Sequence, residues 1–259
     1  MLYLSRAVVS SAGGSFAPSD VSGLVLWYDG SDISTLWQDA AKTTPVTSDN
    51  DPVGAWLDKS AGAKLVTQSI AGERPIYKTA VQNGLSVLSY VSGTLKRIFA
   101  VGSVIDSGTT PSSANWTMFG VANTDSTSHR GGIFTSAETA YAGTLFADST
   151  ASKYIGKVQT NLDVVKNIVG ASDLGSEFMQ VTLQRNNTAV NGWQNGVAAT
   201  PKAITAGSTI DNSYTRLFSD EEGFSSLQGS IAEVIVYDGA VSTSDREAVE
   251  SYLVSKWGL

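Results

Sequence analysis

Short apolar runs alternate with clusters of Gly, Ser, Thr and Asn roughly every 8–12 residues along almost the whole chain. That rhythm leaves little room for helices of ordinary length. It admits strands joined by tight turns and packed as an antiparallel sandwich or barrel. Strands are expected at 23–29, 54–58, 64–68, 85–91, 95–101, 115–123, 131–136, 143–148, 153–158, 164–169, 177–185, 190–194, 215–219 and 230–238. Within 177–185, Met179, Val181 and Leu183 share one face and Gln180, Thr182 and Gln184 the other, the pattern of a strand wet on one side. Asn195-Gly196 lies between two strand-like pieces and signals a type I′ hairpin.

Only the C-terminal end reads as helix. Val249, Tyr252, Leu253 and Trp257 form one stripe at helical spacing, Ser242 stands as N-cap with Asp245 three residues on, and Gly258 is placed as the stop. A helix this short is marginal alone. Trp257 is therefore expected to insert into the sandwich and hold it.

Composition removes several function classes. The absence of cysteine excludes disulfides, thiolate metal sites and cysteine nucleophiles. The 17 basic residues are outnumbered by 24 acidic ones and are scattered, with Lys96-Arg97 the only adjacent pair, so no nucleic-acid partner is expected. No apolar run approaches the ~18 residues of a membrane span, and no membrane partner is expected. The start, "MLYLSRAVVSSAGGSFA", has Arg6 inside its apolar stretch and no basic region before it, unlike a secretory leader. It reads as an anchoring arm, apolar at Leu2, Tyr3, Leu4, Val8 and Val9, followed by the flexible "SSAGGS". The division is thus 1–19 for arm and linker and 20–259 for one domain.

No catalytic constellation stands out. His129 is the only histidine and no G-x-S-x-G elbow accompanies it. Asp220 and Glu222 sit in a turn-like "SDEEG", and Glu233 and Asp238 are an odd number of residues apart, on opposite faces of a regular strand. No catalytic residue, cofactor or metal ligand is assigned. Asp29, Asp32, Asp49, Asp51 and Asp58 crowd the first sixty residues, so calcium is the one ion the chemistry leaves room for, although Asp is also an ordinary turn residue. Carbohydrate binding on a sandwich needs exposed aromatics. Trp37, Tyr141, Tyr154 and Tyr214 are flanked by loop-type residues and are the candidates, while Trp27, Trp56, Trp116, Trp193 and Trp257 fit core patterns.

Three stretches carry a family resemblance: "LVLWYDGSD", "GAWLDKSAG" and "GSIAEVIVYDGAVSTSDREAVESYLVSKWGL". Together they resemble the concanavalin A-like, laminin-G-like jelly-roll modules common in bacteriophage virion proteins and bacterial surface proteins. The likeness runs through Trp56, Asp58, Ser60 and Gly62, then Gly229, Ile231, Glu233, Val234, Val236, Tyr237, Ser242, Tyr252, Leu253 and Lys256 to Leu259, while 95–215 matches only in strand rhythm. It implies an all-β, two-sheet antiparallel jelly-roll sandwich with one short C-terminal helix, its chain ends brought together. It also implies a non-enzymatic virion structural protein at the particle surface, as a capsid decoration, head-fibre or tail-fibre component, whose arm docks to other virion proteins. The alternative is a lectin-like module that binds a host surface polysaccharide. Self-association is left open.

Overall fold

The computed structural model describes residues 15–90, 98–101, 115–124, 131–135, 143–148, 153–163, 166–173, 176–208, 214–219 and 227–259. Among them the strands run in the order β1 (Leu24–Asp29), β2 (Leu36–Trp37), β3 (Ala55–Leu57), β4 (Leu65–Thr67), β5 (Ile76–Gln82), β6 (Leu85–Ser89), β7 (Ile98–Val101), β8 (Trp116–Thr124) and β9 (Gly131–Thr135). There follow β10 (Gly143–Asp148), β11 (Lys153–Val158), β12 (Lys166–Asp173), β13 (Met179–Asn186), β14 (Ala189–Gln194), β15 (Val197–Ala198), β16 (Lys202–Ala203), β17 (Tyr214–Leu217) and β18 (Gly229–Asp238), and the chain closes with helix α1 (Thr243–Trp257).

The strands form two antiparallel sheets. The first has the order β15-β14-β13-β8-β18-β6-β5, with β1 added to β18 and β16 to β14; the second has the order β12-β11-β10-β9-β17-β7-β4-β3-β2. Leu26, Tyr28, Trp116, Met118, Leu183 and Val234 from the first sheet meet Trp56, Val66, Phe134 and Leu217 from the second in one buried core. The protein is the all-β sandwich with a C-terminal helix that the turn rhythm implies. The Asn195-Gly196 hairpin is also present, both residues at positive φ.

Alternation along the strands decides how close the sheets come. A Cβ at Gly156 of β11 would lie 2.2 Å from Leu183 Cδ1, and one at Gly192 of β14 would lie 2.4 Å from Ile168 Cγ2. Glycine at these points lets side chains of one sheet press onto the backbone of the other.

A second apolar cluster lies on the opposite face of the first sheet. Val87, Phe119, Val121, Ile235 and Tyr237 point away from the sandwich and are covered by Val249, Leu253 and Trp257 of α1. The molecule is therefore three-layered here, and β8 and β18 are buried on both faces. The helix starts at Ser242, whose hydroxyl accepts from the Asp245 N–H at 3.1 Å and donates to the Asp245 carboxylate at 2.7 Å. It stops at Gly258, which is left-handed at φ 66° and donates to the Val254 carbonyl at 2.8 Å.

This layer corrects two expectations. The polar face of β13 is not wet, because Gln180, Thr182 and Gln184 are buried beneath α1 and its approach. The buried stripe of α1 is not apolar throughout either: Arg246 and Glu250 belong to it, while Tyr252 is half-buried at its edge. Strand β5 was not expected from its composition. Its inward Tyr77 is buried and its outer backbone is met by the 50–53 segment, through Asn50 N–H to Tyr77 C=O at 2.8 Å and Tyr77 N–H to Asp51 C=O at 2.9 Å. Domain packing also begins earlier than Asp20. Phe16 lies against α1, with its ring 6.1 Å from that of Tyr252, and the Pro18 carbonyl accepts from the Tyr237 hydroxyl at 2.8 Å. The arm residues Leu2, Tyr3, Leu4, Val8 and Val9 lie outside the described residues.

Gly156→Ala and Gly192→Ala should each destabilise the domain by about 1–3 kcal/mol through overpacking between the sheets. Urea unfolding of the purified variants measures this, and a midpoint equal to that of the parent would show that the sheets can separate freely.

Candidate functional site

The most highly organised group of polar side chains lies between β1, β18 and α1. A bulge between Ile231 and Glu233 turns Glu233 to the helix side, on the same face as Ile235 and Tyr237. Its register partner on β1 is Asp29. Glu233 has no solvent exposure. Its Oε1 accepts from Trp27 Nε1 at 2.6 Å and the Tyr252 hydroxyl at 3.0 Å, and its Oε2 from Lys256 Nζ at 2.8 Å and Trp257 Nε1 at 2.7 Å. Lys256 also pairs with Asp29 at 2.8 Å, and Lys59 joins Asp29 at 3.0 Å to Asp32 at 2.9 Å. Lys59 stands 4.3 Å over the Trp27 ring, so Trp27 is half-buried rather than core.

The charges explain one another. Burial works to raise the Asp29 carboxyl, and Lys256, Ser31 and Lys59 outweigh it, leaving Asp29 below its ordinary value. Burial likewise opposes ionisation of Asp32, and Ser34 and Lys59 prevail. Glu233 is pushed above its ordinary value by burial and by the neighbouring Asp29 charge, with Lys256 and Trp257 pulling against them. Glycoside hydrolysis needs two carboxyls flanking a substrate. Here Lys256 bridges Asp29 and Glu233 and the helix that bears it packs over this face of the sheet. The arrangement is a clamp that fastens the helix.

The other early aspartates organise turns. Asp58 Oδ1 accepts from the Trp27 N–H at 2.7 Å and the Ser60 N–H at 2.7 Å, and its Oδ2 from the Lys64 N–H at 3.0 Å. The Lys59 N–H then reaches the Trp27 carbonyl at 2.8 Å, so this turn closes the free edge of β1. Asp49 accepts from the Thr79 N–H at 2.8 Å, and Asp51 from the N–H groups of Thr47 and Ser48, each at 2.9 Å. Among the described residues no group of three or more His, Asp or Glu gathers closely enough to hold a metal ion.

Of the aromatic candidates, Trp37 is the one whose side chain is described. It is half-buried on β2, at the edge of the second sheet, with Lys42 Nζ 5.1 Å from the ring centroid. The following loop is tightly held by Asp39. Burial opposes ionisation of its carboxyl, and the N–H groups of Thr43, Thr44 and Ala41 together with the Thr43 hydroxyl hold it down to about 2. A Cβ at Gly54 would lie 2.7 Å from Asp39 Cα, so only glycine lets this loop fold back on β3. Tyr154 is the second residue of β11 and Tyr214 the first of β17, both in the same sheet. Through β10 and β9, Tyr154 stands level with Gly131, whereas Tyr214 lies two residues before Arg216, the partner of Thr135. Trp37 is level with Arg216 but four strands away, about 19 Å at ordinary strand spacing. The structure does not bring the three together. Tyr141, His129, Asp220 and Glu222 lie outside the described residues. Trp193, expected in the core, is half-buried with Arg246 stacked 4.4 Å from its ring.

No family model matches the sequence. No curated protein matches it. Solved structures do. The binding domain of Paraclostridial Mosquitocidal Protein 1 superposes with a TM-score of 0.60 at 11% identity, over 93% of this chain and 53% of that one. The receptor binding domain of botulinum neurotoxin D gives 0.53 at 13% identity over 76% and 52%, and the binding domain of botulinum neurotoxin serotype G 0.51 at 12% over 77% and 50%. The likeness is one of fold. The chain spans about half the length of each of these structures.

Two outcomes test the clamp. Trp257→Ala should cost about 3–5 kcal/mol, and Trp257→Phe, which removes the donor to Glu233 and keeps most of the volume, about 1–3 kcal/mol. A parental melting curve for the alanine variant would rule out the clamp as a support of the fold. Because Asp29 and Asp32 are depressed, their stabilisation is present above the ordinary aspartate value and lost as pH falls through their lower folded values, below about pH 4. Glu233, being raised, contributes the opposite slope: its share is complete below the ordinary glutamate value and lost as pH rises through its folded value. Melting temperature should therefore fall below about pH 4, and Lys59→Met should lower the neutral plateau and flatten that fall.

Proposed function

We propose that this chain is a non-catalytic recognition module, a lectin-like sandwich that binds a host surface polysaccharide or a glycosylated receptor. The observation that carries this reading is the fold shared with binding domains over as much as 93% of the chain. Local geometry supports it. Asp49, Asp51 and Asp58 accept hydrogen bonds from their own turns or from neighbouring strands, and Glu233 and Asp29 are held under the helix. Trp37, beside Lys42 and next to the loop that Asp39 holds, is the aromatic contact in this proposal. Aromatic faces paired with a nearby donor are what saccharide binding asks of a sandwich surface.

We further propose the virion surface as the setting. The terminal motifs and the apolar arm support this, with Leu2, Tyr3, Leu4, Val8 and Val9 docking to other virion proteins. Phe16 is seated beside α1, on the first sheet, whereas Trp37 belongs to the second.

A polysaccharide and glycan array probed with the purified chain tests the main reading. Binding is expected, weakened about tenfold or more by Trp37→Ala with melting unchanged. A silent array, or binding indifferent to Trp37, would count against the lectin reading or against this site respectively. Turnover of the bound polysaccharide would make the protein an enzyme.

A further inference from the structure

Arg185 is a buried cation that takes no part in the clamp. Arg185 lies on β13, on the face that carries Val181 and Leu183 into the space between the sheets, and it is fully buried. Its Nη2 donates to the carbonyl of Ser208, itself buried, and to the Ser208 hydroxyl at 3.3 Å. Among the described residues its Nε and Nη1 have no hydrogen-bond partner. The register partner of Arg185 on β8 is Trp116, also fully buried, and the Trp116 indole N–H likewise has none. Adjacent positions on two neighbouring strands thus carry three donor groups inward, with no acceptor for any of them among the described residues.

A guanidinium keeps its charge in proteins, and an uncompensated buried charge is costly. Asp163 is the carboxylate whose field reaches Arg185. Its oxygens accept from the Thr160 hydroxyl at 2.9 Å and from the Thr205 N–H and hydroxyl at 2.9 and 3.0 Å, and it makes no direct bond to the guanidinium. Buried polar groups are normally paired, and an unpaired set points to a bound water or ion.

We infer that Arg185, with Trp116 beside it, holds a small monovalent anion of the halide or carboxylate class between the sheets. Such an ion accepts from the free N–H groups and supplies the single negative charge that the guanidinium lacks; a water supplies the acceptor without the charge. Its place is structural. It joins β13 and β8 to the 205–208 segment, which Asp163 ties to the end of β11 through the loop after Val158.

The test uses the intact chain. Melting is followed at fixed ionic strength while chloride, bromide or formate replaces gluconate, a bulkier anion outside that class. A saturable rise of about 2–4 °C is expected with the small anions, and no rise in Arg185→Gln. Should that variant not fold, parental crystals soaked in bromide give an independent measurement: an anomalous peak is expected within hydrogen-bond distance of Arg185 Nε or Nη1. Parental melting that ignores the anion, or bromide found only elsewhere, overturns the inference.

Discussion

A carboxylate sealed from water holds the first strand and the helix α1 to the same point of the sheet. Glu233 takes hydrogen bonds from Trp27 near the start of the domain and from Tyr252, Lys256 and Trp257 at its close. Burying a charge is tolerable only when it is paired and its lone pairs are filled, and both conditions are met. The surrounding group has three carboxylates, Asp29, Asp32 and Glu233, against two ammoniums, Lys59 and Lys256. The surplus of one negative charge falls where burial is deepest, which is why Glu233 is raised while the two aspartates are lowered. Removing one donor leaves the rest of the set imperfectly matched, so the cost of a single change exceeds that of one hydrogen bond.

The helix that this group fastens is matched to its sheet by polarity as well as by shape. Arg246 pairs with Glu250 one turn on, Glu250 accepts from the Thr182 hydroxyl at 2.8 Å, and Gln180 donates to the same hydroxyl at 2.5 Å. Arg246 also lies over Trp193. An apolar helix could settle on the strands in several positions of similar energy. Paired polar groups leave a single position in which all are satisfied, and specificity of this kind is a known use of buried polar residues.

Much of this was legible in the amino-acid order. Ser242, Asp245 and Gly258 announced the helix limits, because capping chemistry is local. The strands at 143–148 and 153–158 could be read to the residue from alternation and turn residues. What could not be read depends on partners distant in sequence. Gln180, Thr182 and Gln184 look wet because a period-2 pattern reports polarity and not what lies above the strand. The bulge at Ile231 to Glu233 leaves no mark in composition, yet it decides that Glu233 faces the helix. Strand β5 has Lys78, Thr79 and Ala80 in its middle and is fixed by backbone bonds from the 50–53 segment. Trp37 was legible as an aromatic in a polar setting; its distance from Tyr154 and Tyr214 is a matter of strand order, which no local pattern encodes.

The contact between Phe16 and Tyr252 bears on mechanical load. A pull on the N-terminal segment enters the domain at Phe16 and Pro18, beside the helix and against Tyr237 of β18. A reaction force at the C-terminal end enters through Trp257 and Lys256, at Glu233 on that same strand. Load applied at either end therefore meets the same strand, β18, and the helix laid over it.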